Sequence, residues 1–250
     1  MTHLLGLPPD ASVQAAEVDS LIGMVHWLMF FLFLGWGTFY IITLIRFRRS
    51  RQAKASYKGV KSHTSTYLEI GVAAFEAFLL IGFSIPFWAK SVVALPSAKD
   101  AIVVHVVAEQ FLWNVHYPGP DGIFSRADVK LVDAENNPLG LDRDDPNGKD
   151  DITTINQLHL PVNKPVIIYL TSKDVIHSFS LPVMRVKQDV IPGMSIPVSF
   201  TPTVVGNYEI ACAQLCGLGH YRMRGYLVIE SQADYEAWLA QQQTEQHPAS

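Results

Sequence analysis

Hydrophobic and polar positions divide this chain into two parts with different periods. Residues 21–45 run without a charged side chain, Leu-Ile-Gly-Met-Val-His-Trp-Leu-Met-Phe-Phe and onward. At about 1.5 Å per residue this stretch is long enough to cross the hydrocarbon core of a bilayer. A second apolar stretch covers residues 66–88 and contains Glu69 and Glu76. Between the two, residues 46–61 carry Arg46, Arg48, Arg49, Arg51, Lys54, Lys58 and Lys61 and no acid. The excess of positive charge predicts that this loop is cytoplasmic and that both termini lie outside. Residues 21–90 are therefore expected to form a transmembrane hairpin, and residues 1–20 an extracytoplasmic arm. That arm has Asp10, Glu17 and Asp19 but no Lys or Arg, unlike the basic start of a signal peptide. Trp27 and Trp88 fit an outer aromatic belt, and His26 reads as an interfacial histidine packed against a neighbour.

Beyond Pro96 the pattern changes to short β-branched or aromatic runs set off by Gly, Pro and Asn. They cover residues 101–108, 110–117, 165–171, 196–200, 207–211 and 225–230, and such runs predict strands. Together they predict an all-β Greek-key sandwich or barrel over residues 97–232. Residues 118–164 would be a long connection, partly ordered and surface-exposed. In residues 233–250 the spacing of Tyr235, Trp238 and Leu239 predicts an amphipathic helix over 233–243 and a polar, disordered tail over 244–250. No internal repeat is visible.

Composition agrees with partial membrane residence: of 250 residues, 49% are hydrophobic and only 17% charged. The basic loop sets topology and gives no reason to expect a nucleic-acid partner. Within residues 97–250, 18 acids outnumber 11 bases, and Asp142, Asp144, Asp145, Asp150 and Asp151 crowd one part of the long connection. That cluster reads first as a solvated loop, then as a surface steering a basic partner, then as a calcium site. Glu69 and Glu76 stand two helical turns apart, about 10 Å along the axis on nearly one face. Carboxyls are costly in hydrocarbon, so that face is expected to meet another subunit or a water path.

The densest chemistry lies in Cys212-Ala-Gln-Leu-Cys216-Gly-Leu-Gly-His220-Tyr-Arg-Met223, which holds both cysteines of the chain. Four-residue steps from Cys212 to Cys216 to His220 would align on a helix face. Gly217, Gly219 and the apolar runs on either side favour a loop between strands. A disulfide here would close a small, strained ring and staple almost nothing. Zinc is served by Cys, Cys and His with a fourth ligand missing. Met223 tilts the choice to copper, which uses thioether where zinc rarely does. A mononuclear blue-copper site needs one thiolate, so the surplus cysteine suggests that both sulfurs bridge two copper ions.

Preceded by Asp174-Val-Ile-His177-Ser178-Phe-Ser-Leu-Pro182, the pattern C-x-x-x-C-x-x-x-H-x-x-M resembles subunit II of the cytochrome c oxidase family, over about the whole chain. The resemblance implies a cupredoxin domain behind the two-span α-helical anchor, and a dinuclear copper (CuA) centre. It makes Cys212 and Cys216 bridging thiolates, His177 and His220 one imidazole ligand for each copper, Met223 a terminal thioether, and the Gln214 carbonyl a weak ligand. The implied function is to accept electrons one at a time from a c-type cytochrome or membrane-bound donor complex and pass them to haem in subunit I, supporting oxygen reduction and proton translocation. The implied partners are the haem-bearing subunit I, other oxidase subunits and the lipid bilayer, and the implied location is a bacterial-type inner membrane. Oxygen chemistry would belong to the partner subunit, and no C-x-x-C-H haem motif is present in this chain.

The resemblance also assigns residues around the centre. In Gln110-Phe111-Leu112-Trp113-Asn114-Val115-His116-Tyr117, Phe111 stands where relatives commonly have the tryptophan that receives the electron, and Trp113 matches their second tryptophan. Core packing is the competing reading for both rings. Glu69 matches a glutamate at the mouth of a proton-uptake path, and a snorkelling interfacial acid is its alternative. Glu76 falls where a proline is common. Asp174 and Ser178 are expected to fix the loop, with a hydrogen bond to the second nitrogen of His177. Lys187-Gln188-Asp189-Val-Ile-Pro192-Gly193 resembles a turn near the haem subunit, with Met194 where relatives often have Arg. Gln214 replaces a glutamate that binds magnesium in many relatives, which leaves a magnesium site open. The rivals are a CuA subunit of a nitric oxide reductase, a structural subunit like those of quinol oxidases, and a zinc-stabilised membrane domain.

Overall fold

The computed structural model describes residues 5–52, 54, 57–59, 62–90 and 95–247. Lys61, the first residues of the N-terminal arm and the last three of the tail lie outside the described residues. The chain separates into a helical unit and a β unit.

Helix α1 spans Val13–Arg46 and belongs to the helical unit from Asp19 on, with α2 spanning Thr64–Leu79; a π-helical turn, Leu80–Ser84, leads from α2 into the short α3, Ile85–Trp88. Both apolar segments, Val13–Arg46 and Thr64–Trp88, are long and apolar enough to cross a membrane. No residue of their apolar windows is buried by this chain, as expected for helices whose solvent is lipid or another subunit. The π turn precedes Pro86, which lacks an N–H and disrupts the ordinary ladder; there Ile85 N–H donates to the Leu80 carbonyl. His26 Nδ1 lies 2.8 Å from the Ile22 carbonyl, one turn back on its own helix.

The first helix begins earlier than the uncharged run suggests. Ser12 caps it, its Oγ accepting from Ala15 N–H at 3.0 Å, and its own hydroxyl donates to the Met184 carbonyl at 2.8 Å. Ala11 and Ala15 are fully buried, Thr203 N–H donates to Ala11 O, and Val13 N–H donates to Thr201 O. Residues 7–18 are thus part of the β unit, not a free arm.

The β unit is a sandwich of the cupredoxin type. In chain order its strands are β1 Ile102–Glu109, β2 Leu112–Tyr117, β3 Ile152–Ile155, β4 Gln157–Pro161, β5 Val166–Ser172, β6 His177–Leu181, β7 Val186–Val190, β8 Ile196–Phe200, β9 Gly206–Cys212 and β10 Arg224–Glu230. Among the described residues they form two five-stranded sheets, β3-β2-β1-β5-β8 and β4-β10-β9-β6-β7. The pairs β1·β5 and β4·β10 are parallel; the others are antiparallel. Period-2 alternation turns Val104, Val106 and Ala108 of β1 inward against Leu170, Phe179 and Leu227. Each fully buried Val, Leu or Phe among them stabilises the sandwich by about 1.5–3 kcal/mol.

Three expectations are corrected. The long connection holds β3 and β4, joined by Asn156 in the left-handed region at φ 58°, so only residues 118–151 are an excursion. The last helix, α4 Gln232–Gln246, continues through part of the expected tail, because Gln246 is held by Thr153 N–H and the Thr153 carbonyl. The acidic cluster is not simply solvated. Asp145 accepts from Arg126 and caps the turn at Asn147, Asp142 pairs with Arg126, and Asp151 is buried against His116 at 2.7 Å and Ser125 N–H at 3.0 Å. These carboxylates wire the excursion to itself and to β2.

The excursion also covers the outer face of β1 and β2, where Phe124 stacks on His105 with ring centroids 3.8 Å apart. Burial, aided by His116, lowers the His105 imidazole from its usual 6.5 to about 4. The folded chain keeps this ring neutral while the unfolded chain protonates it, so its contribution to stability is full above pH 6.5 and lost as pH falls toward 4. The thermal midpoint of the β unit is expected to fall across that window, and His105→Gln is expected to flatten the fall.

Candidate metal centre

Two structural joins build the site. Strand β6 opens at His177, and its pairing with β9, Phe179 opposite Cys212, lays that histidine beside the end of β9. Strands β9 and β10 are antiparallel neighbours with Ala211 opposite Arg224, so the loop between them must return on itself. Cys212 and Met223 thus flank the base of the loop, while Cys216 and the turn His220–Arg222 stand within it.

The side chains converge. Cys212 Sγ and Cys216 Sγ are 3.8 Å apart, far beyond the roughly 2.05 Å of a disulfide. His177 Nδ1 lies 4.0 Å from Cys212 Sγ and 3.2 Å from Met223 Sδ. Cys216 Sγ lies 3.7 Å from His220 Nδ1 and 3.8 Å from Met223 Sδ, and the Gln214 carbonyl is 3.2 Å from Cys212 Sγ. Such separations suit donor atoms that share cations at bond lengths of about 2.0–2.3 Å. His177, Cys212 and Cys216 form the tight group; His220 approaches from the side of Cys216. The buried thioether of Met223 aims into the group, so the donor set fits copper better than zinc.

Electrostatics point the same way. Burial alone would raise the Cys212 thiol, but hydrogen bonds from His177 and from the Ser178 and Gln214 main chain hold it at about 6. Burial and the adjacent Cys212 sulfur push Cys216 up to about 11. Two thiolates this close repel, so one keeps its proton until a cation neutralises the pair.

The surrounding layer orients these donors. Asp174 Oδ1 meets His177 Nε2 at 2.9 Å, turning Nδ1 toward the sulfurs. Burial opposes ionisation of Asp174, yet hydrogen bonds from His177, Gln110 N–H and Val175 N–H keep its carboxyl below the usual range. Ser178 acts through its main-chain carbonyl, which accepts from Ala213 N–H at 2.9 Å; its buried hydroxyl has no hydrogen-bond partner among the described residues.

The two aromatic candidates separate. Phe111 packs against the loop backbone, where a Cβ on Gly219 would come within 2.3 Å of its ring. Trp113 is completely buried, edge-on to Phe179 with centroids 5.5 Å apart and 6.2 Å from His177. It stands beneath the centre, closed off from solvent. Gln214 presents an exposed side chain, and Glu69 lies on an exposed turn of α2. Sequence reasoning missed the apolar surface over the loop, where Leu218 is 97% and Tyr221 86% exposed. It also missed the side-chain bond from Gln110 to the Cys216 carbonyl.

Comparison with known proteins bears on this site. Residues 102–232 match the family described as cytochrome C oxidase subunit II, periplasmic domain. The alternative cytochrome c oxidase subunit 2 of Bradyrhizobium diazoefficiens is 36% identical over 228 residues, covering 91% of this chain and 80% of that protein. The cytochrome c oxidase subunit 2 of Cereibacter sphaeroides is 26% identical over 260 residues, covering 94% and 79%. Among solved structures, the periplasmic domain of subunit II of cytochrome oxidase from Bradyrhizobium japonicum is similar at 25% identity and a TM-score of 0.45, covering 61% of this chain and 99% of that one.

Proposed function

The chain belongs to the cytochrome c oxidase subunit II family, membrane-anchored components of haem-copper oxidoreductase complexes, and from this we propose that it receives electrons one at a time from a c-type cytochrome or equivalent donor and delivers them to haem in subunit I. The observation that carries the reading is the convergence of two thiols, two imidazoles and a thioether within one loop and one strand end. Cys212 and Cys216 would bridge a dinuclear copper pair, His177 and His220 would bind one ion each, and Met223 and the Gln214 carbonyl would complete the set. Bound copper supplies one-electron redox chemistry.

The residues of the chain do the rest. Asp174 fixes the His177 ring, and the hydrogen-bonded loop holds the donors before loading, so little rearrangement accompanies a change of charge. Trp113 and Phe179 close the floor of the site against water. Leu218 and Tyr221 offer a docking partner an apolar surface next to the ligands. The basic loop is assigned to the cytoplasm, and the β unit with both termini to the opposite side. The test is metal analysis and electron spin resonance of the purified complex. Two copper ions per chain with a mixed-valence hyperfine pattern are expected, and a single or redox-silent ion would sink the reading. Reduction of oxygen rather than nitric oxide by the same preparation excludes the nitric oxide reductase.

Glu69, on the first turns of α2, is assigned to proton uptake, with Glu76 two turns on along the same face. Glu69→Gln is expected to slow oxygen turnover several-fold while the copper spectrum stays as in wild type. Unchanged turnover would return Glu69 to the role of an interfacial acid.

A further inference from the structure

Gln110 stands where the two ligand-bearing segments meet. Its side-chain Nε2 donates to the Cys216 carbonyl at 2.7 Å, and its main-chain N–H donates to Asp174 Oδ2, also at 2.7 Å. Asp174 spends its other oxygen on His177 Nε2 at 2.9 Å. Gln110 is therefore one hydrogen bond from the cysteine loop and two from the histidine that opens β6. The loop is shaped to receive it: a Cβ on Gly217, where φ is +133°, would come within 2.7 Å of the Gln110 Nε2. Yet Gln110 is an exposed residue in the bend between β1 and β2 and fills no part of the core. The effect of Gln110 lies in geometry, because it joins the cysteine loop to the end of β1, which pairing with β5 as far as Ala108 and Ser172 already sets beside Asp174.

We infer that Gln110 is a positioning residue, tying Cys216 to Asp174 and through it to His177 and so setting the spacing of thiolate and imidazole donors before metal arrives. The inference rests on the reading of this loop as a copper centre. Groups one layer outside metal ligands commonly govern metal affinity by about 10–100-fold. Removing this clamp should therefore act on metal retention and leave the fold alone.

The experiment compares the full chain in detergent, loaded with copper, as wild type, Gln110→Ala and Gln110→Glu, with Gln241→Ala on the exposed face of α4 as control. Gln110→Ala is expected to lose copper to a competing chelator at least about 10-fold faster than wild type, with an altered hyperfine pattern. Gln110→Glu keeps the length but sets an acceptor against the Cys216 carbonyl, and is expected to behave alike. The thermal midpoint of the metal-free chain should not move in either variant. Copper retention and spectrum equal to wild type in both variants would overturn the inference. So would a lowered metal-free midpoint, which would assign Gln110 to the fold. A wild-type chain that holds no copper would instead remove the parent reading, and that control alone distinguishes the two failures.

Discussion

Cys216→Ser is expected to abolish the dinuclear centre: copper per chain falls to one or none, the mixed-valence signal disappears, and donor oxidation drops more than ~100-fold, beyond what loss of an outer-layer group causes. Serine keeps the shape of the side chain but offers a hard, protonated oxygen in place of a soft thiolate. Cys216 is also the sulfur nearest both His220 and Met223, at 3.7 and 3.8 Å. Its loss therefore removes the atom shared by the two sides of the site. Cys212→Ser should fail as well, since His177 would then face only one thiolate. Metal analysis with electron spin resonance on both variants decides the matter. Two retained coppers with an unchanged hyperfine pattern in either serine variant would rule out bridging.

The second large effect is expected from Trp113→Ala, which should destabilise the β unit by about 3–5 kcal/mol. The indole is wholly buried, its edge meets Phe179, and a Cβ on Gly225 would lie 3.2 Å from its Cδ1, so no neighbour can readily fill the space it leaves. In a domain of this size that corresponds to a fall of roughly 10 °C in the thermal midpoint. Trp113→Phe restores most of the volume, and because Trp113 supports the centre from below it should leave donor oxidation near wild type. Collapse of donor oxidation in Trp113→Phe, with the midpoint and copper content intact, would make the indole an electron relay after all.

What the sequence revealed of the site follows from how local each piece is. The cysteine loop is legible because four of its donors lie within twelve residues and the chemistry of sulfur narrows the metal. His177 is legible only through the family pattern, because it reaches the site by the pairing of β6 with β9. Strand β7, with Lys187, Gln188 and Asp189, has no apolar alternation to betray it, being the edge of its sheet. Trp113 had a usable signal: Trp113, Val115 and Tyr117 alternate on the core face of β2. That signal was blurred because Asn114 and His116, on the other face, are buried too, under the excursion. Counting charges made the acidic cluster look free, whereas Asp142, Asp145 and Asp151 accept hydrogen bonds that no count of charge reveals. The uncharged run from Leu21 suggests a first helix that starts at the end of the charged arm, eight residues after its true start at Val13. Charge marks where a helix can enter lipid, not where its backbone ladder begins, and that is set by the Ser12 cap.

The seating of residues 11–14 has a consequence for the order of events during synthesis. Ser12 bonds to Met184, 172 residues further on, and Ala11 and Val13 to Thr203 and Thr201. A ribosome delivers the start of the chain long before those acceptors exist, so the first span must be handed to the translocation machinery while its leading edge is still unattached. The amino-terminal stitch is thus a late closing step, made only after β8 and the residues that follow it have emerged and docked.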